Sequence, residues 1–178
     1  MNTSSEFSHQ ERTASVPKWR HLVFHPLTVL GVSLLAALLF ALLVMIWFDG
    51  SIRSLLLYYF LPIGIPFVAY LFDRAQYSNE YGLVRWTIDL LVVSLALLRA
   101  FGTIPFISGH ALFLSFALLT AHSWLTRILA LFIMCQVIYL KLFVWQDITL
   151  VGGIVLGCIA AICFQRAGKV KKQTESIV

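Results

Sequence analysis

Charge is scarce in this chain. Asp, Glu, Lys and Arg make up 12% of its 178 residues, against roughly 25% in soluble domains. Too few ionisable side chains remain to cover a water-facing surface. Cysteine is also sparse: Cys135, Cys158 and Cys163 lie inside apolar runs, at spacings that fit neither a metal knuckle nor a redox pair. They are read as helix-packing residues. The chain carries no glycine-rich phosphate loop of the nucleotide-binding type, no His-Glu-x-x-His and no nucleophile elbow. It has no evident internal repeat. These absences argue against nucleotide binding, zinc hydrolysis and serine hydrolysis, and they imply no metal and no cofactor.

Apolar residues fill the space that charge leaves. Hydrophobic residues reach 60% and mean hydropathy is +0.89, the composition of an integral membrane protein. Six apolar runs follow one another: Leu27–Phe48, Leu55–Phe72, Trp86–Phe101, Ile104–Ala121, Leu125–Val144 and Ile148–Phe164. Each approaches the roughly 20 residues needed to cross a bilayer as a helix. The first has no Ala-x-Ala-like site after it and reads as a retained anchor. The second contains Pro62 and Pro66, which predict a kink. The expected architecture is all-α: a polytopic membrane protein with a six-transmembrane-helix bundle. A polar cytoplasmic tail covers 1–24, the membrane domain 25–165, and a basic cytoplasmic tail 166–178.

An even number of spans puts both termini on one side. That side carries Arg12, Lys18, Arg20, Arg74, Arg85, Arg127, Arg166, Lys169, Lys171 and Lys172; the other carries Arg53, Arg99 and Lys141. Ten basic residues against three place both termini in the cytoplasm of an inner (plasma) membrane by the positive-inside rule. The net charge of +5 suits anionic lipid headgroups and gives no case for nucleic acid. Membrane lipids are the expected partners. Oligomerisation and a partner subunit stay open, and Gly153-x3-Gly157 would let the sixth helix approach a neighbour closely.

On the opposite, outer face, Ser108-Gly109-His110 opens the fourth run directly. With Arg99, Lys141 and Asp147 it falls at roughly one membrane depth. Ionisable groups there are costly unless they line a site, pair with one another or reach the interface. Plainer roles also fit: His110 as an interfacial helix start, Asp147 as a cap of the sixth helix, and Arg99 and Lys141 as snorkelling cations. Asp89, one turn inside the third helix, is expected to pair with Arg85 at i, i+4.

Phe106-Ile107-Ser108-Gly109-His110-Ala111 resembles the Pro-Ser-Gly-His motif of the type 2 phosphatidic acid phosphatase and haloperoxidase superfamily. Membrane members carry it at the start of the fourth of six helices, on the outer face. Tyr139-Leu140, Asp147-Ile148, Gly152-Gly153 and Leu156-Gly157 resemble the text around the family's third motif, Ser-Arg-x5-His-x3-Asp. The resemblance implies that His110 is a general acid, that Asp147 orients the nucleophile, and that Ser108 and Gly109 cradle phosphate. Arg99 and Lys141 are the nearby cations. Departures accompany these matches. With Asp147 aligned, Phe143 stands at the nucleophilic histidine and Val137 at the phosphate-binding arginine. Ile107 replaces the proline. The first motif, Lys-x6-Arg-Pro, has Leu97 for lysine and Ile104 for arginine. A phenyl ring cannot attack phosphorus, and His122, the other histidine of the spans and outer loops, falls at the cytoplasmic end.

Three readings follow. The favoured one is an atypical or catalytically degraded lipid- or isoprenoid-phosphate phosphatase relative, keeping a residual phosphate or headgroup site on the outer face. The second is an active membrane lipid phosphatase, a phosphoric monoester or diphosphate hydrolase. The third is an unrelated small transporter or membrane-complex subunit.

Overall fold

The long apolar runs leave the backbone no partner outside itself, and helix satisfies it internally. The computed structural model describes residues 22–47, 50–78, 81–100 and 106–175. The described residues are helical and contain no strand. Helix α1 covers Pro26–Trp47, α2 Gly50–Gln76, α3 Leu83–Ala100, α4 Gly109–Thr120, α5 Trp124–Tyr139 and α6 Thr149–Glu175. A π-helical turn, Leu140–Val144, continues α5.

The six helices match the six apolar runs in order, with informative differences at the ends. Pro26 opens α1 at the first helical position, where a missing N–H costs nothing. Helix α2 stays helical through Pro62 and Pro66. Helix α6 continues past Phe164 through the basic stretch to Glu175, so the boundary expected at residue 166 falls inside a helix. Most of the expected amino tail, and Ile104-Pro105 of the first motif, lie outside the described residues.

Helix α4 is the centre of the bundle. Gly109, Thr120 and every residue from Ala111 to Ala117 are buried, as befits a helix that is apolar all round. It packs against α3, α5 and α6 and touches α2, while α1 packs mainly on α2. The α4–α6 contact is closest where Gly153 and Gly157 face it. A Cβ on Gly153 would stand 2.5 Å from the Ser108 carbonyl oxygen, and one on Gly157 2.6 Å from that of Leu112. The small-residue pattern is thus used inside the chain, to bring α6 against α4.

The outward faces are apolar. Leu38, Leu39 and Leu42 of α1, Leu90 and Leu91 of α3, and Val151, Val155 and Ile159 of α6 are all exposed. Contiguous exposed apolar surface on this scale is what a lipid-facing bundle needs and what soluble monomers avoid. Two stretches, Trp124–Val144 and Thr149–Gly168, are long and apolar enough to cross a membrane, with mean hydropathies of 2.0 and 1.9.

Candidate functional site

Polar chemistry gathers at the two ends of α4, and Ser108 begins the first cluster. It is the N-cap of α4, its hydroxyl accepting from the Ala111 N–H at 3.4 Å. Its own N–H donates to the Thr149 carbonyl at 2.9 Å. That bond ties the start of α4 to the start of α6, and so brings the Ser108-Gly109-His110 step beside Asp147. Gly109 is needed for closeness, since a Cβ there would stand 2.5 Å from the Ala96 carbonyl oxygen of α3. Ser108 and Gly109 are both buried, and their contacts are structural.

Lys141 comes from the π-turn. A π-turn inserts one residue into the helical repeat and rotates the side chains beyond it. Lys141 is turned inward, its side chain 7% exposed, while Phe143 is turned outward and 73% exposed. The Lys141 ammonium binds the Asp147 carboxylate and donates to the Thr149 hydroxyl at 3.2 Å. Asp147 also accepts from the Thr149 N–H at 2.9 Å, capping α6. The chain reverses between these residues through Gln146, whose φ of +49° is a conformation side chains rarely adopt. The Asp147 N–H then reaches the Lys141 carbonyl at 2.8 Å. Partial burial alone would raise the Asp147 carboxyl. The bonds from Lys141 and Thr149 and the Lys141 charge outweigh that, holding it at about 2.

Arg99 completes this end of the bundle. Its Nε donates to the Ile107 carbonyl at 2.8 Å, fastening the end of α3 to the loop before α4. Lys141, Asp147 and Thr149 are joined directly, and the Ser108–Thr149 and Arg99–Ile107 bonds set the start of α4 and the end of α3 at the same end of the bundle. The two positions that the resemblance would align with a histidine and an arginine face elsewhere. Phe143 packs its ring on Tyr139 with centroids 5.5 Å apart, and Val137 is buried in the core. Among the described residues no group of three or more His, Cys, Asp or Glu is arranged to hold a metal ion.

The second cluster, at the far end of α4, was only partly foreseen. Asp89 does not pair with Arg85. Its Oδ2 lies 2.9 Å from Arg74 Nε, and its Oδ1 accepts from the Tyr70 hydroxyl at 2.5 Å. The Arg74–Asp89 approach lacks the alignment of a hydrogen bond, so it is an ion pair. Arg74 also donates to the Tyr81 hydroxyl at 2.5 Å and the Thr120 hydroxyl at 2.7 Å. Its guanidinium sits over the rings of Tyr70, at 4.3 Å, and Phe164, at 4.6 Å. Arg85 lies instead against Tyr81 and Phe164, donates to the Phe164 carbonyl at 3.3 Å, and fills the space a Gly168 side chain would need. Asp73 accepts from the N–H groups of His122 and Ser123 and holds the α4–α5 turn. His122 stacks on Tyr77 with centroids 4.6 Å apart. A sequence signal for this cluster existed: Tyr70, Asp73, Arg74 and Tyr77 share one helical face at i, i+3, i+4 and i+7.

Comparison with models of known protein families, with curated proteins and with solved structures finds no match to this chain.

Proposed function

We propose that this chain is a multi-pass membrane protein resembling the type 2 phosphatidic acid phosphatase and haloperoxidase superfamily, in which the hydrolytic half of the site is lost and an anion-binding half remains. The observation that supports this reading is the Lys141–Asp147–Thr149 cluster tied by the Ser108–Thr149 bond to the Ser108-Gly109-His110 step, with Arg99 bonded to the loop before it, while the nucleophile position is an outward-facing phenylalanine. Cationic and donor groups at this end of α4 suit a phosphate monoester on a lipid or isoprenoid chain. Attack on phosphorus needs a nucleophile within reach of that point, and Phe143 supplies none. The ten-to-three distribution of basic residues supports an outer-leaflet location for the site in a plasma membrane, with both termini cytoplasmic. In that setting the protein binds headgroups without hydrolysing them.

The test is a purified-protein assay with lipid and isoprenoid phosphates. Wild type should release no phosphate, and Phe143→His should release none either, because side chains at position 143 point away from the cluster. Metal-independent phosphate release that His110→Ala abolishes would overturn the reading in favour of an active phosphatase.

A further inference from the structure

Helix α5 and its π-turn make up the apolar stretch Trp124–Val144, and most of that stretch is left uncovered by the rest of the chain. Gln136 stands two residues past its midpoint, where an amide without a hydrogen-bond partner is costly. Buried hydroxyls of the bundle meet that cost within the chain. Ser33, Ser115 and Thr126 donate to the carbonyls of Val29, Ala111 and Ala69. The Gln136 carboxamide does not: the residue is half-buried, and no group among the described residues bonds its side chain.

Gln136 also belongs to a seam. Leu125, Leu129, Phe132, Gln136, Tyr139 and Phe143 follow one another at intervals of 4, 3, 4, 3 and 4 residues, the a and d rhythm of a left-handed helix pair. The buried residues of α5, Thr126, Ala130, Ile133, Met134 and Val137, lie on another face, the one packed on α4 and α2. The seam is therefore not the face that α5 uses inside its own bundle. Phe132, Tyr139 and Phe143 are exposed, and Leu125 and Leu129 are half-buried. Ring contact between Tyr139 and Phe143 keeps Phe143 on this face through the π-turn.

We propose that this seam joins α5 to the α5 of a second copy of the chain, with the two Gln136 carboxamides bonded to each other at its centre. Three features select a second copy. Copies of one chain insert in one orientation, because the same basic flanks act on each. Two α5 helices about a two-fold axis normal to the membrane therefore run parallel and in register, which brings each Gln136 opposite its counterpart. A carboxamide carries both donors and an acceptor, so an identical group satisfies it. The other seam residues are aliphatic or aromatic and uncharged, so like surfaces meet without repulsion. A single polar residue at an a position fixes register and helix number in a coiled coil; in lipid the same bond also adds to association. The dimer is independent of the phosphate-site reading.

The experiment uses the full chain in phosphatidylcholine vesicles. Resonance energy transfer between donor- and acceptor-labelled chains, followed as added lipid dilutes the protein, gives the dimer dissociation constant. Wild type should dimerise. Gln136→Met, close in length but lacking the amide, should raise the dissociation constant about fivefold, and Gln136→Asn, which keeps the amide, should raise it less. A second measurement leaves Gln136 in place. With Cys135, Cys158 and Cys163 replaced by Ala, Phe132→Cys should form a disulfide between copies under mild oxidation. Leu131→Cys, exposed on the adjoining face, should not. A protein that stays monomeric at the highest density in the vesicles overturns the proposal. So does dimerisation that Gln136→Met leaves unchanged, or cross-linking through Leu131→Cys in preference to Phe132→Cys. Monomers in vesicles, with Phe132→Cys cross-linked to a different protein in native membranes, overturn it in favour of another subunit on the same seam.

Discussion

The Arg74–Asp89 pair makes the sharpest test of how the bundle is held together. Both side chains are nearly inaccessible, 4% and 7% exposed, and their charged atoms approach to 2.9 Å. Removing one partner strands the other charge in an apolar interior, which costs about 3–5 kcal/mol. Arg74→Met leaves the Asp89 carboxylate with the Tyr70 hydroxyl. Asp89→Leu leaves the guanidinium with the Tyr81 and Thr120 hydroxyls and with Asp73 at 3.8 Å. Replacing both by apolar side chains strands neither. The double variant should therefore be more stable than the two single losses summed, by about 2 kcal/mol, roughly a 30-fold difference in the unfolding equilibrium. Reversible unfolding of the four proteins in mixed micelles, followed by tryptophan fluorescence, measures the cycle. Strict additivity would refute the reasoning, because it would mean that neither charge depends on the other. A double variant worse than the sum would do the same.

Two further outcomes follow from the geometry. Gly157→Val should lower stability by about 1–3 kcal/mol through overpacking, because its Cβ would press on the Leu112 carbonyl. Gly31→Ala, where no atom lies within 4 Å of the added Cβ, should be neutral or mildly stabilising in the same unfolding assay. The Asp147 carboxyl is held at about 2, below the ordinary 3.8 of the unfolded chain. Its contribution to stability is complete above pH 4 and is lost as pH falls through about 2. An acid titration from pH 5 to pH 2 should show this loss in wild type and not in Asp147→Asn; identical curves would remove Asp147 from the account.

Composition and run length made the helices legible. A chain with 12% charge and six apolar runs has few options other than helix, and the helices fall on those runs in order. Helix order and a motif-like step set Ser108-Gly109-His110 and Asp147 at one membrane depth, and the Ser108–Thr149 bond is what ties their two segments together. What escaped was the choice of partner. Asp89 has Arg85 one turn away on its own helix, a geometry readable from spacing alone. It pairs instead with Arg74 of α2, whose long side chain reaches it beside Thr120 at the end of α4, while Arg85 turns to α6 and Gly168. Likewise the pattern Gly153-x3-Gly157 announced a close approach without saying to what.

Spacing along the chain therefore decided which segments are helical, which residues share a face, and that both ends of α4 carry polar groups. These follow from local backbone geometry and from the cost of leaving peptide groups unpaired among apolar side chains. Only the tertiary structure decided that Lys141 turns inward and Phe143 outward, since one π-turn reassigns faces that an uninterrupted α-helical count would assign differently. It alone joined Asp147 to Lys141 and buried Arg74 among aromatic rings. Such pairings depend on the crossing of helices far apart in sequence, where a one-residue rotation changes which charge meets which.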